Sequence, residues 1–136
     1  MNNAEFRAWD IRNKKMVYDA LKTSPTGQLV TVNEEHFNSP FSFFDGCVWM
    51  QYTTMNDKEK NKIFDGDVIE LDKEWAESIG ASRTKCLVGF KDGSFMFARG
   101  DDPNHMDSYL WISNRHCKVI GNIHANPTIL ETISLS

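Results

Sequence analysis

The stretch from Cys47 to Leu71 reads CVWMQYTTMNDKEKNKIFDGDVIEL. Two apolar runs, Cys47–Tyr52 and Ile63–Leu71, flank a charged loop and a tight acidic turn. The first run follows an Asp45-Gly46 turn signal and reads as a buried strand. Residues 53–62 are rich in Lys, Asp and Asn and read as a solvated loop. At Asp65-Gly66-Asp67 the chain reverses: glycine takes up a backbone conformation that a Cβ opposes, and the aspartates accept turn hydrogen bonds. A catalytic carboxylate pair is the rival reading of Asp65 and Asp67. The strand that follows at once favours the turn. Strand, loop, turn, strand is the grammar of an antiparallel sheet.

The flanking sequence repeats it. Phe6-Arg-Ala-Trp-Asp10, the link Ile11–Lys14 and Met16-Val-Tyr18 read as a hairpin, with Phe6 and Ala8 on one side and Arg7 and Trp9 on the other. Asn13 is the link residue suited to a left-handed backbone. Residues 22–28 are a loop, Leu29–Val32 is a short β-branched run, and Phe41, Phe43 and Phe44 read as core. The sharpest local expectation is the hairpin CLVGF-KDGS-FMF. With Asp92-Gly93 as the two turn residues, Lys91 faces Ser94, Phe90 faces Phe95 and Val88 faces Phe97. Cys86, Val88, Phe90, Phe95 and Phe97 then share one face. Asp72–Gly80 has an N-cap candidate and a terminal glycine, so a two-turn helix is expected there. Tyr109–Ile112 is an apolar run that periodicity leaves ambiguous. Cys117–Ile123 reads as a strand in which Gly121 marks a bulge or a close approach. Asn126-Pro127 opens a short closing helix over 128–133. The sum is one mostly-β domain over residues 1–136, with extra hairpins and one or two short helices. A small closed barrel protects the edge strands of such a chain best.

Composition excludes more than it selects. The 136 residues carry 40% hydrophobic and 12% aromatic side chains, ordinary values for a globular core. A formal charge of −4 and scattered Lys and Arg argue against a duplex-DNA binder. Three separated cysteines, Cys47, Cys86 and Cys117, form no C-x-x-C pair and read as free thiols in a reducing cytoplasm. No signal peptide and no apolar run of membrane-spanning length is seen, so no membrane partner is expected. No phosphate loop, dinucleotide fingerprint or nucleophile elbow is present. Asp101, Asp102, His105 and Asp107 are the densest set of metal-ligand types, but they miss the EF-hand spacing and read as solvated acids beside Pro103. No catalytic residue, metal or cofactor is assigned.

Three segments together resemble the YopX family of phage and prophage proteins. They are FRAWDIRNKKMVYD (6–19), MQYTTMNDKEKNKIFDGDVIEL (50–71) and KVIGNIHANPTIL (118–130). Thr54 stands where that family usually has glycine, and Glu59-Lys60 replaces its Asn-Gly. The second exchange removes residues that favour a two-residue type I′ turn, so the loop at 54–62 is expected to depart from the family's shape. The resemblance implies an SH3-like β-barrel and a viral or prophage origin, and it carries over no catalytic residue. Trp9, Asp10, Tyr52, Asp57 and Lys58, all within these segments, are the candidate binding residues. Exposed Trp9, Tyr52 or Trp111 would stack on a ring. The expectation is a non-enzymatic accessory protein, a self-associating binding module acting on a host or phage protein. Single-stranded nucleic-acid binding beside Arg7, Arg12, Lys14 and Lys15 is the alternative. A small metal-dependent hydrolase on the acidic loops ranks last.

Overall fold

The computed structural model describes residues 5–23, 29–31, 47–102 and 105–129. The fold is mostly β and antiparallel, with short helical pieces, as the sequence implied. Phe41, Phe43 and Phe44 lie outside the described residues, as do all but Thr128 and Ile129 of the expected closing helix. Within the span expected to be one domain, contacts group the chain into two compact units, Met1–Tyr52 and Thr53–Ser136.

The first unit is built on the expected hairpin. Strand β1 (Glu5–Asp10) lies between β2 (Lys15–Thr23) and β4 (Cys47–Asn56), and β2 is edged by β3 (Leu29–Thr31). Both faces of the central strand β1 carry a buried side chain, Arg7 on one and Ala8 on the other. Val17 packs on Ala8, with Cys47 and Trp49 against them. The link Ile11–Lys14 is held by Asp10, whose Oδ1 accepts the N–H of Arg12 (3.1 Å) and of Asn13 (3.2 Å). Its Oδ2 accepts the Asn13 amide at 2.8 Å. The left-handed residue of this loop is Lys14 (φ 52°), not Asn13; the asparagine side chain serves the cap instead.

In the second unit the strand order is β10 (Cys117–Asn122), β6 (Asp67–Leu71), β7 (Lys85–Lys91), β8 (Ser94–Phe97), β9 (Ser108–Tyr109). The apolar run 63–71 is two strands, β5 (Lys62–Phe64) and β6, divided by the acidic turn where the chain was expected to reverse. Gly66 sits at φ 89°, and Asp67, fully buried, accepts the Phe64 N–H at 2.8 Å. Asp65-Gly66-Asp67 is thus a structural turn. The hairpin β7–β8 has the expected register: Lys91 with Ser94, Phe90 with Phe95, Val88 with Phe97. Asp92 (φ 52°) and Gly93 (φ 84°) are both left-handed, as a type I′ turn requires. The shared apolar face is core at its base, where Cys86, Val88 and Phe97 are fully buried. At its tip Phe90 is exposed, edge-on to Phe95 at 5.0 Å.

Helix α1 (Lys73–Ser78) ends as its glycine foretold. Gly80 is left-handed (φ 71°); its N–H bonds to the Glu77 carbonyl and the Ala81 N–H reaches the Ala76 carbonyl. Those two bonds are a Schellman cap. At the other end Asp72 makes no side-chain cap; its carboxylate pairs with Lys58. Gly121 is both things expected of it. The β10–β6 register shifts between Val119 and Gly121, and a Cβ there would lie 2.7 Å from Asn126 Oδ1. Ile63, Ile69, Leu71, Val88, Phe97 and Leu110 close the core with Cys86 and Cys117.

Candidate functional site

Within the second unit the ambiguous run Tyr109–Ile112 resolves into a ledge. Ser108 and Tyr109 form a two-residue edge strand against Phe97 and Met96, and alternation buries Ser108 while Tyr109 faces out. The chain then tightens into a 3₁₀ turn, Leu110–Ile112, whose side chains repeat every third residue. Leu110 and Ser113 are therefore both fully buried, and the residues between them are turned outward. Trp111 is 63% exposed, Tyr109 47% and Ile112 41%. The Tyr109 and Trp111 rings lie 6.3 Å apart. Three large apolar side chains thus stand in water on a turn pinned at both ends.

Trp111 and Ile112 line a groove of about 480 Å³. The end of β4, Thr54, Met55 and Asn56, and the second 3₁₀ turn, Asn114–His116, line it as well. The Asn114 amide donates to the Asn56 carbonyl at 2.8 Å and ties the two segments together. His116 stacks on Trp75, ring centres 3.9 Å apart and 14° from parallel, while the Trp75 indole N–H donates to Ser113 Oγ at 2.8 Å. The groove is preformed.

The loop beside it is organised by Asp57. Oδ1 accepts the N–H of Glu59 (2.9 Å) and of Asn61 (2.8 Å). Oδ2 accepts the Val119 N–H at 2.8 Å and the Asn61 amide at 3.4 Å. Burial by itself pushes the carboxyl up, but the bonds from Val119, Asn61 and Glu59 outweigh it and hold Asp57 below the usual carboxylate range. The Lys60 N–H bonds to the Asp57 carbonyl and the Asp57 N–H to the Asn61 carbonyl. Lys60 alone in the turn has positive φ, 68°. That is a three-residue hairpin loop, a type I turn followed by one left-handed residue, and not a type I′ turn.

The expected binding residues divide accordingly. Asp57 is buried with both oxygens occupied, by its own loop and by Val119 of β10. Lys58 is in an ion pair with Asp72, which raises its pKa. In the first unit, Asp10 is buried as the cap of its hairpin, and Trp9 is half-buried. Tyr52, also half-buried, follows Gln51, the partner of Phe6. The register therefore sets Tyr52 roughly 13 Å along the sheet from Trp9 at ~3.3 Å per residue. Of the three aromatics named for stacking, Trp111 is the one that stands clear. Arg115 and His116 had no sequence signal, because only the 3₁₀ turns bring them beside Trp111.

Among the described residues no three His, Cys, Asp or Glu side chains are grouped to hold a metal ion. Asp107 takes the N–H and Nε of Arg99, both at 3.2 Å, and Asp101 accepts Ser82 Oγ at 2.9 Å. Burial pushes Cys86 and Cys117 up to about 12, so neither is a thiolate at neutral pH. No helix among the described residues is long and apolar enough to cross a membrane.

The family model of the YopX protein matches residues 5–131. The chain belongs to the YopX family. No curated protein matches it. Among solved structures it is similar to protein EF1440 from Enterococcus faecalis, at 25% identity over 93% of this chain and 97% of that one, with a TM-score of 0.57. Protein yopX from Bacillus subtilis shares the fold at 19% identity, covering 95% of this chain and 97% of that one, with a TM-score of 0.52. Thr54 (φ 67°) and Lys60 (φ 68°), the two positions where the resemblance led us to expect glycine, both hold a left-handed backbone that glycine adopts without strain.

Proposed function

We propose that this YopX-family chain is a non-enzymatic accessory protein of phage or prophage origin, a binding module that acts on a protein and self-associates. The observation that carries it is the ledge of Tyr109, Trp111 and Ile112, exposed together beside a preformed groove. Exposed aromatics next to a rigid concavity are the usual anchors of protein contacts. The tied-up carboxylates and the protonated buried thiols support a non-enzymatic role.

Selection of random displayed peptides on the purified chain tests the binding role. Peptides that enrich on the wild type and are lost on Trp111→Ala support it, and enrichment indifferent to that substitution rules it out. Self-association is read by light scattering at tens of micromolar, where a clean monomer removes that half of the proposal. Single-stranded nucleic-acid binding on the first hairpin has less support. Arg12, Lys14 and Lys15 are exposed there, but Arg7 is buried, 6.0 Å from the centre of the Tyr18 ring.

A further inference from the structure

We infer that the occupant of the Trp111 groove is an acidic peptide segment bearing a large apolar side chain. The inference rests on the ledge being a protein-contact surface and narrows it to one partner chemistry. Charge decides the sign. Among the described residues lining the groove, two can carry charge, Arg115 and His116, both basic, and none is a carboxylate. Nearby cations are committed elsewhere: Lys58 pairs with Asp72, and Lys118 lies 4.0 Å from Glu70. Arg115 is exposed and makes no ion pair among the described residues. A chain of net charge −4 thus presents a small basic spot, directly beside the most exposed aromatic among the described residues.

A guanidinium takes a carboxylate in a two-point fork, which fixes the orientation of the incoming segment. Trp111 and Ile112 offer the apolar surface that a Leu or Phe side chain covers. His116 has one ring face covered by Trp75, so its place in the lining is set before anything binds. The Asn114–Asn56 bond holds the end of β4 and the second 3₁₀ turn at their spacing, and little ordering cost remains for the protein side. A nucleic-acid strand fits less well, because its backbone calls for a row of cations and the groove has one arginine and one histidine.

Fluorescence anisotropy with three labelled probes tests this on the full chain. One is a peptide alternating Asp or Glu with Leu or Phe, the second replaces its acids with Lys, and the third is a short oligothymidylate. The acidic peptide is expected to bind tightest. Trp111→Ala and Arg115→Glu should each weaken it at least about tenfold, and Arg115→Glu should shift preference toward the lysine peptide. Both side chains are exposed, so unchanged melting temperatures will confirm intact folds. Equal or tighter binding of the lysine peptide, still lost on Trp111→Ala, overturns the charge assignment and leaves the contact surface standing. Peptide binding that is absent or indifferent to Trp111→Ala removes both. Tighter binding of the oligothymidylate replaces the peptide with a nucleic acid.

Discussion

At Asp57 four N–H donors converge on two carboxylate oxygens, and one of them comes from Val119 on β10. An asparagine has one carbonyl oxygen, so its amide end would meet an N–H and leave that donor orphaned. Asp57→Asn should therefore destabilise the chain by about 1–3 kcal/mol, read as a lower urea midpoint with an unchanged slope. The pH dependence has a definite sign. The folded carboxyl lies below its unfolded value, so its stabilisation is complete above ~3.9 and is lost as pH falls through the folded value. Urea titrations from neutrality downward should show this acid loss in the wild type and a flatter limb in Asp57→Asn. Two of the left-handed non-glycines, Thr54 and Lys60, make the opposite prediction. Relieving a Cβ in that region returns about 1–2 kcal/mol, and glycine's extra chain entropy takes back about 0.5–1. Lys60→Gly, and separately Thr54→Gly, should raise the melting temperature, with a net gain of about 0.5–1 kcal/mol each.

Elements whose instructions are local follow the sequence closely. Asp92-Gly93 sets the β7–β8 register without help from distant residues, and Gly80 stops α1 by bonds confined to its own last turn. Strand β10 is different, because Gly121 answers to the segment that follows the strand. A Cβ there meets Asn126 Oδ1 at 2.7 Å and Ile129 Cδ1 at 3.1 Å, while Asn126 Oδ1 itself accepts the Asn122 N–H. Gly121→Ala should cost about 1–3 kcal/mol by overpacking. Gly89 is the control: its Cβ would meet Met106 Cε at 2.9 Å, the far end of a flexible side chain that can move aside. Gly89→Ala should stay within about 1 kcal/mol of the wild type. Denaturant midpoints for the pair separate a blocked close approach from a tolerant one.

At the scale of the whole chain, the three thiols report on different regions. Cys47 is half-buried in the first unit, and Cys86 and Cys117 are buried in one core cluster of the second. Burial raises all three, and the charge of Asp10 adds to the effect at Cys47. A thiol reagent at mildly alkaline pH should label Cys47 slowly in the native protein and leave the other two untouched. In a urea series Cys86 and Cys117 should become reactive at the same concentration, because one core protects both. Separate transitions for those two would divide the cluster.

The sequence by itself determined most strands, the Asp-Gly turns and the family, because Asp-Gly dipeptides, apolar alternation and terminal glycines act over a few residues, where backbone sterics dominate. Strand β4 nevertheless runs on to Asn56, and β2 to Thr23, through residues read as loop. Two loop details were only half legible. The left-handed backbone at Thr54 and Lys60 runs against residue type, because the surrounding hydrogen bonds over-determine it. The type I turn at 57–61 is organised by a side chain, Asp57, that also bonds across to β10. The groove needed the tertiary structure altogether. Tyr109-Leu-Trp-Ile112 carries the same apolar signal as a core strand, and what exposes three of its four side chains is the burial of Leu110 and Ser113 at 3₁₀ spacing. Burial at every third residue depends on where the core lies, and that is decided by packing.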